Sequence, residues 1–266
     1  IILGYYQVFA MGWVVFSGYG YRRFFGEWVP FVRFVSPEGS GSVILWGGHC
    51  FVFEGRYCWM CGVGVPVRLG LCDFCYCSPR GLRYRVVVEG FDGVGSDAFD
   101  LVADVVFRPY YLYVGAFGSL YKVGVCRADR FLYRLVEQGF DAAVVIDCCF
   151  DLLEAQRVEG EVCRVFGLRD RLYFGDKLGA VCDGFDLQEF RGLVDDVVGF
   201  VRGRVVWFGG FDWPEFVDFD RVFDGDLLYG DFVYWRGNVC VVGNCSEVLA
   251  VNLNGFVGRG VVCGEV

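Results

Sequence analysis

Short runs of apolar residues, separated by glycine, serine and proline turns, occupy the beginning and the end of the chain. In the N-terminal part they predict β-strands at residues 14–16, 31–35 and 43–46. The run at 83–89 predicts another strand, followed by a loop rich in glycine and aspartate at 90–97. After residue 203 a hairpin turn is predicted at 236–238, with strands near Val205, Phe232, Val241, Leu249 and Val261. Both ends of the chain are therefore predicted to be β-rich.

The middle of the chain alternates between strand and helix patterns. Tyrosine-rich and valine-rich runs predict strands at residues 110–114, 120–125 and 142–146. Apolar residues at helical spacing predict helices at residues 129–138, from 151 onward and at about 186–201. Gly139 is expected to end the first helix, and Asp151 to cap the second with Glu154 as its capping-box partner.

Together these patterns predict an α+β protein made of three modules. A β-rich N-terminal module spans 1–104 and contains a cysteine cluster at about 56–80. An αβ module spans 105–202, and a β-rich C-terminal module spans 203–266.

Charge is distributed unevenly over these modules. The chain has 266 residues and a net charge of -9, and its hydrophobic content of 55% excludes a disordered chain. Residues 1–90 carry 8 Lys/Arg against 5 Asp/Glu, whereas residues 140–266 carry 11 against 22. The acidic stretch at 212–231 would repel phosphate, so we expect DNA or RNA to bind to the first two modules. The acidic C-terminal module is a candidate surface for a protein partner.

The first 21 residues contain no charged side chain, which is long enough on paper for a membrane span. Four glycines and alternating aromatic residues favour two strands instead, and no basic start or cleavage site marks a signal peptide. We therefore expect a cytoplasmic protein without a membrane partner. In a reducing compartment, thiols bind metals more often than they form disulfides.

The basic residues are almost all arginine, with only 2 lysines, Lys122 and Lys177. Arginine cannot replace a compact ammonium group with a tunable pKa, so a lysine that persists in such a chain is a candidate functional residue. General drift toward arginine is the alternative explanation.

Four of the 14 cysteines form the pattern C-x2-C-x10-C-x2-C, at Cys58, Cys61, Cys72 and Cys75. Each pair can place two thiolates on one metal, and the spacer allows a short hairpin, so a zinc ribbon with a structural Zn²⁺ is predicted. Cys50, Cys77 and His49 lie close enough to replace one ligand. A cysteine-rich segment without metal is the alternative, and a redox pair is disfavoured because no thioredoxin-like βαβ pattern surrounds the motif.

The middle module carries four short motifs: Tyr111-Leu112-Tyr113, Lys122-Val123-Gly124, Tyr133-Arg134-Leu135 and Glu154-Ala155-Gln156-Arg157-Val158-Glu159. On these motifs, residues 108 to about 168 resemble a diverged GIY-YIG nuclease domain. The whole chain is also similar to an uncharacterised family with a zinc ribbon, a GIY-YIG-like middle and a β-rich C-terminal region. That family has no established activity, so the similarity implies architecture more than function.

The resemblance implies roles for individual residues. Tyr111 corresponds to the first-strand tyrosine of the nucleases, Arg134 to the helical arginine, and Glu159 to the glutamate that holds Mg²⁺ or Mn²⁺. Arg130 precedes Arg134 by four residues and so projects from the same helix face. Lys122 stands where the nucleases have a second tyrosine, which is a departure from the family pattern.

Three functions fit these residues. The first is divalent-metal-dependent phosphodiester hydrolysis at a site containing Tyr111, Lys122, Arg130, Arg134 and Glu159. The second is a non-catalytic zinc-ribbon module that binds nucleic acid, which the lysine at position 122 favours. The third is a protein-interaction scaffold that uses the acidic C-terminal module. Sheet packing by the tyrosines and a solvated arginine face are the alternative explanation for the middle module.

Overall fold

The structure, a computed structural model, describes residues 14–24, 26–36, 39–45, 48–89 and 99–264. Two compact units divide the chain: unit 1 contains residues 1–78, 217–235 and 240–266, and unit 2 contains residues 79–216 and 236–239. The part of the two predicted N-terminal strands that precedes residue 14, and the loop predicted at 90–97, lie outside the described residues.

Strands and helices both contribute to the described residues, so the protein belongs to the predicted mixed α+β class. The strands are β1 (Val14–Phe24), β2 (Glu27–Ser36), β3 (Gly39–Ile44), β4 (Gly48–Arg56), β5 (Tyr110–Phe117), β6 (Leu120–Arg127), β7 (Ala142–Cys149), β8 (Trp207–Gly210), β9 (Arg221–Val222), β10 (Leu227–Arg236), β11 (Val239–Gly243), β12 (Val248–Asn252) and β13 (Arg259–Gly264). The helices are α1 (Asp73–Cys77), α2 (Pro79–Glu89), α3 (Phe99–Val106), α4 (Phe131–Gln138), α5 (Leu152–Phe166), α6 (Phe174–Ala180) and α7 (Leu187–Val201). In the part of the chain that the structure describes, none of these helices is long and apolar enough to cross a membrane.

Unit 1 is built on a nine-stranded sheet in the order β3-β2-β1-β13-β4-β10-β11-β12-β9. The C-terminal strand β13 pairs antiparallel with both β1 and β4, and β10 also pairs with β4. Strands from the regions 1–104 and 203–266, which the sequence presents as separate modules, therefore belong to one sheet. Hydrogen bonds between strands that are distant in the sequence join the two regions. The local sequence pattern does not predict such pairing.

The alternation of side chains along a strand decides which residues fill the core of unit 1. In β2, Val32 and Phe34 are buried, whereas Arg33 between them is exposed. Phe34 packs edge-to-face on Phe16 of β1, with the ring centroids 5.9 Å apart. Such aromatic contacts add to the burial of apolar surface that stabilises the sheet.

Unit 2 is built on a four-stranded antiparallel sheet in the order β6-β5-β7-β8. Leu112, Val114 and Ala116 of β5 are buried in one apolar cluster with residues of α5 and α7. Tyr111 and Tyr113 alternate with them and so face the other side of the sheet, toward α4. We call this side the tyrosine face.

Three predicted helix ends in unit 2 are confirmed by their caps. Gly139 ends α4 in the left-handed conformation, with φ 78°. The side chain of Asp151 accepts hydrogen bonds from the N–H groups of Leu153 and Glu154 in the first turn of α5, without the return bond from the Glu154 side chain that the predicted capping box requires. The side chain of Asp186 accepts from Gln188 and Glu189 in the first turn of α7.

The strand predicted at 83–89 is wrong, because these residues lie in the helix α2. Pro79 occupies the first turn of this helix, where its missing N–H costs nothing. Leu82 and Val86 are four residues apart, so they share one helix face, and both are buried against Val102 and Val106 of α3. Burial of this face outweighs the strand propensity of the valine run.

Candidate functional site

The four cysteines of the ribbon motif converge on one point. The sulfur atoms of Cys58, Cys61, Cys72 and Cys75 all lie within 4.8 Å of one another. The Sγ atoms of Cys61 and Cys72 are 3.8 Å apart, which equals the edge of a tetrahedron with metal–sulfur bonds of about 2.3 Å. This donor set could therefore hold a metal ion such as zinc.

Backbone hydrogen bonds hold each cysteine pair in shape. The N–H of Cys58 donates to the carbonyl of Gly64 at 2.7 Å, and the N–H of Gly62 donates to the carbonyl of Cys58 at 2.8 Å. Gly62 has a φ of 78°, a left-handed conformation that glycine adopts without strain. At the second pair, the hydroxyl of Ser78 donates to the carbonyl of Cys75 at 2.7 Å. The thiols are thus positioned by the local backbone.

Where a short hairpin was predicted, the spacer forms a turn closed by a single isolated β-bridge between Arg68 and Leu71. The N–H of Val67 donates to the carbonyl of Leu71 at 2.8 Å, and the Trp59 indole donates to the carbonyl of Leu69 at 2.9 Å. Gly64 lies so close to Cys72 that a Cβ atom there would meet the cysteine Cβ at 2.5 Å. The two halves of the motif are therefore packed directly against each other.

Of the alternative ligands, Cys77 is exposed at the end of α1 and Cys50 is half-buried in β4. Among the described side chains, the four motif cysteines are the only group of this kind brought within reach of one ion. The side chain of His49 lies outside the described residues.

A second cluster lies on the tyrosine face of unit 2. Tyr113 of β5 stands opposite Gly124 of β6, and Lys122 lies two residues before Gly124 on the same face. A Cβ atom at Gly124 would lie 2.5 Å from the Tyr113 hydroxyl oxygen, so this position needs glycine. Tyr113 is fully buried, and its burial raises the pKa of the phenol, which therefore stays protonated.

Lys122 is a buried ammonium group on the edge strand β6, with 4% of its surface exposed. Its Nζ donates a hydrogen bond to the backbone carbonyl of Asp170 at 2.7 Å and lies 6.0 Å from the centre of the Tyr113 ring. Burial, together with the charge of Arg134, lowers the pKa of Lys122 from 10.5 to about 8. The site thus contains an amine that loses its proton more readily than an ordinary lysine.

Glu159 approaches this lysine from α5. Burial raises the pKa of the Glu159 carboxyl from 4.5 to about 7, although the charge of Lys122 and a hydrogen bond from the backbone of Val125 act in the other direction. The negative charge of Asp170 raises this pKa further. A carboxyl group held in this way gains most from a bound cation, which would favour its ionised form.

Arg134 connects α4 to the same cluster. Its positive charge acts on the Tyr113 phenol and on Lys122. Arg130, the N-cap residue of α4, and Arg134 both contact Glu137, at 3.2 and 3.9 Å, so their guanidinium groups lie on one side of the helix. Lys122, Arg134 and Glu159 are therefore brought together around Tyr113.

Tyr111 lies two residues before Tyr113 in β5, on the same tyrosine face. Its ring packs edge-to-face on Phe131 at the start of α4, with centroids 5.3 Å apart. The contacts of Arg130 run to Glu137, and its charge reaches Cys126. These two residues flank the cluster formed by the other three.

Sequence reasoning missed two members of the cluster, Asp170 and Arg171. Both follow α5, in a segment without a helix or strand pattern, and the charges of both act on Glu159. Only the fold brings them beside β6, where the carbonyl of Arg169 accepts a hydrogen bond from the N–H of Val123 at 3.1 Å. The sequence carried no motif that could have identified them.

The other lysine is also buried in unit 2. Lys177 is 2% exposed and donates to the carbonyl of Gln138 at 2.6 Å and to Oδ1 of Asn238 at 3.0 Å. Burial, with the charges of Lys122 and Arg134, lowers its pKa well below the ordinary value. These two acceptors give the buried amine two hydrogen bonds. Lys177 therefore stabilises the end of α4.

Part of the acidic stretch at 212–231 has internal partners. Asp220 accepts a hydrogen bond from the backbone of Val248 at 2.7 Å, and Asp226 forms an ion pair with Arg259. Asp224 lies 3.4 Å from Arg221. These carboxylates contribute to the packing of unit 1.

The two clusters offer different chemistry. The thiols are soft donors that surround a single ion position, whereas the second cluster combines carboxyl groups with cations around a protonated phenol. No protein-family model, curated protein or solved structure matches the chain.

Proposed function

We propose that the protein acts on nucleic acid, DNA or RNA, and hydrolyses phosphodiester bonds at the cluster in unit 2. One observation carries the proposal: the charges of Arg134 on α4 and Glu159 on α5 both act on Lys122 of β6 and on the buried Tyr113 phenol of β5. Phosphodiester hydrolysis needs cations against the developing negative charge and a carboxylate that can bind a metal ion. The resemblance to GIY-YIG nucleases names two members of this set, Arg134 and Glu159.

Each side chain has a chemical part in this proposal. Arg134 and Lys122 balance the negative charge that develops on the phosphate. The Tyr113 hydroxyl is protonated and experiences the positive charge of Arg134, while Tyr111 helps to position the attacking water and Arg130 adds positive charge beside α4. When bound by Glu159, a divalent cation such as Mg²⁺ or Mn²⁺ would supply further positive charge against the phosphate oxygens.

We further propose that the four ribbon thiols hold a structural Zn²⁺. The convergence of the sulfur atoms and the 3.8 Å separation between Cys61 and Cys72 support tetrahedral coordination. A set of four thiolates leaves no open position for substrate, so the ion would stabilise the ribbon and take no part in hydrolysis.

Substitution of Glu159 by glutamine tests the hydrolysis. The variant should lose metal-dependent cleavage of labelled DNA or RNA by about two to three orders of magnitude, because an uncharged amide is a poor ligand for Mg²⁺ or Mn²⁺. Glu161→Gln is the matched control, since Glu161 lies on the same helix and pairs with Arg157 at 2.7 Å. Equal cleavage by both variants, or no cleavage by the wild type with either ion, would contradict the proposal.

A non-catalytic module that binds phosphate is the second candidate. The observation in its favour is Lys122, which stands where the nucleases have a tyrosine and whose ammonium is already bound by the carbonyl of Asp170. Such a module would bind oligonucleotides without cutting them, and Glu159→Gln would then bind more tightly because a repulsive carboxylate is removed.

A further inference from the structure

The segment at residues 169–171 is built into the cluster by its backbone. The carbonyl of Arg169 accepts from Val123 at 3.1 Å, and the carbonyl of Asp170 accepts from the Lys122 ammonium at 2.7 Å. Arg169 also forms a single β-bridge with Lys122, parallel to the edge strand β6. The backbone of this segment is therefore held at a defined place beside the site.

The two arginines of the segment have different surroundings. Arg169 forms an ion pair with Asp176 at 2.6 Å, and Asp176 also caps α6 by accepting from the N–H of Tyr173. Arg171 is 61% exposed, and its ion pair with the neighbouring Asp170 is long, at 3.8 Å. The guanidinium of Arg171 is thus the one that can take a new anionic partner.

Arg171 directly follows Asp170, whose carbonyl accepts the hydrogen bond from the Lys122 ammonium at 2.7 Å. Its positive charge acts on the carboxyl of Glu159, as the charge of Arg134 acts on Lys122. Arg134 on α4 and Arg171 after α5 are both partly exposed, and their positive charges act on the buried Lys122 and Glu159.

The charge of the cluster has the sign that an anion requires. Lys122, Arg130, Arg134 and Arg171 supply four positive charges, and Glu137, Glu159 and Asp170 supply three negative ones. The cluster is therefore positive in a chain whose net charge is -9. Local positive charge of this kind attracts a polyanion to one place on an acidic protein.

We propose that Arg171 is a phosphate-binding residue of this site, and that Arg171 and Arg134 together hold the sugar–phosphate backbone of a nucleic-acid strand. The inference rests on the proposed action on nucleic acid and adds the residue that sequence reasoning missed. The planar guanidinium can donate two parallel hydrogen bonds to one phosphate, and this contact does not depend on base sequence.

Binding measurements without added divalent ions test the inference apart from cleavage. Fluorescence anisotropy of labelled single-stranded and duplex oligonucleotides, DNA and RNA, should give an affinity about 3- to 10-fold lower for Arg171→Gln at low salt. The slope of the logarithm of the affinity against the logarithm of the salt concentration should become less steep by about one, which corresponds to one counterion released. Arg171→Lys should keep the slope, because it keeps the charge, while losing part of the affinity. Arg191→Gln is the control, since Arg191 is exposed on α7, which packs on the opposite face of the sheet.

The outcomes separate the two proposals. If Arg171→Gln binds as tightly as the wild type and as Arg191→Gln, the inference is wrong, whether or not the protein cleaves. If Arg171→Gln and Arg134→Gln both weaken binding but no divalent ion supports cleavage, hydrolysis fails and the phosphate-binding role of Arg171 stands. If inorganic pyrophosphate binds through Arg171 but no oligonucleotide does, the nucleic-acid partner is excluded.

Discussion

The two chemical clusters of this protein are assembled in opposite ways. The four thiols lie between residues 58 and 75, and backbone hydrogen bonds within the same segment hold them. The second cluster takes Tyr113 and Lys122 from two strands, Arg134 and Glu159 from two helices, and further charges from the segment at 169–171. A spacing rule therefore finds the first cluster, and only sheet pairing and helix packing create the second.

The difference also affects what holds each cluster in place. In the ribbon, a bound ion would supply most of the stabilisation, because the short segment offers little apolar surface to bury. In unit 2 the sheet and its helices bury the side chains, and burial itself shifts the pKa values of Lys122 and Glu159. Loss of one ligand should therefore disrupt the ribbon, whereas single changes in unit 2 should have graded effects.

Replacement of one thiol is expected to have the largest effect. Cys58→Ser should reduce zinc from one ion per chain to well below one, because coordination by such a set contributes on the order of 10 kcal/mol. Elemental analysis measures the zinc, and limited proteolysis between residues 59 and 71 reports ribbon unfolding. Cys77→Ser, which changes an exposed cysteine next to the motif, should keep the ion. Full zinc content in Cys58→Ser would move the ligand assignment to Cys50 or Cys77.

A methyl group on the tyrosine face should have a smaller effect. Gly124→Ala would place its Cβ 2.5 Å from the Tyr113 ring, which is 1% exposed, and should destabilise the fold by about 1–3 kcal/mol. Gly160→Ala is the contrasting control, because no atom lies within 4 Å of its Cβ and a helical alanine should stabilise by about 0.5–1 kcal/mol. Urea denaturation measures both. Equal stability of the two variants would show that Tyr113 is not confined as described.

The pH dependence of stability should show the smallest effect. The pKa of Glu159 is about 7 in the fold against an ordinary 4.5, so the folded state binds this proton more tightly. The corresponding stabilisation is fully present below about pH 4.5 and is lost as the pH rises through 7. Glu159→Gln should remove this loss, on the order of 1–2 kcal/mol, when unfolding is compared at about pH 5 and pH 7.5 without added divalent ions. Glu161→Gln should keep the wild-type dependence, and a parallel curve for Glu159→Gln would mean that the carboxyl is better solvated than described.

Secondary structure was predictable where local rules operate. The caps at Asp151 and Asp186 and the glycine that ends α4 follow from side-chain chemistry within one helical turn. The prediction failed at 83–89, where a valine run with high strand propensity became helix α2 because Leu82 and Val86 are buried against α3. Propensity is a small energy, and packing against another element exceeds it.

The sequence alone determined the spacing of the four cysteines, the alternation that separates the two faces of β5, and the α+β class. These features depend on residues close together in the chain. Only the tertiary structure decided that β13 joins the N-terminal strands in one sheet, and that Asp170 and Arg171 lie beside Lys122 and Glu159. Contacts between distant segments depend on the burial and pairing of the whole unit, and no local pattern of residue types encodes them.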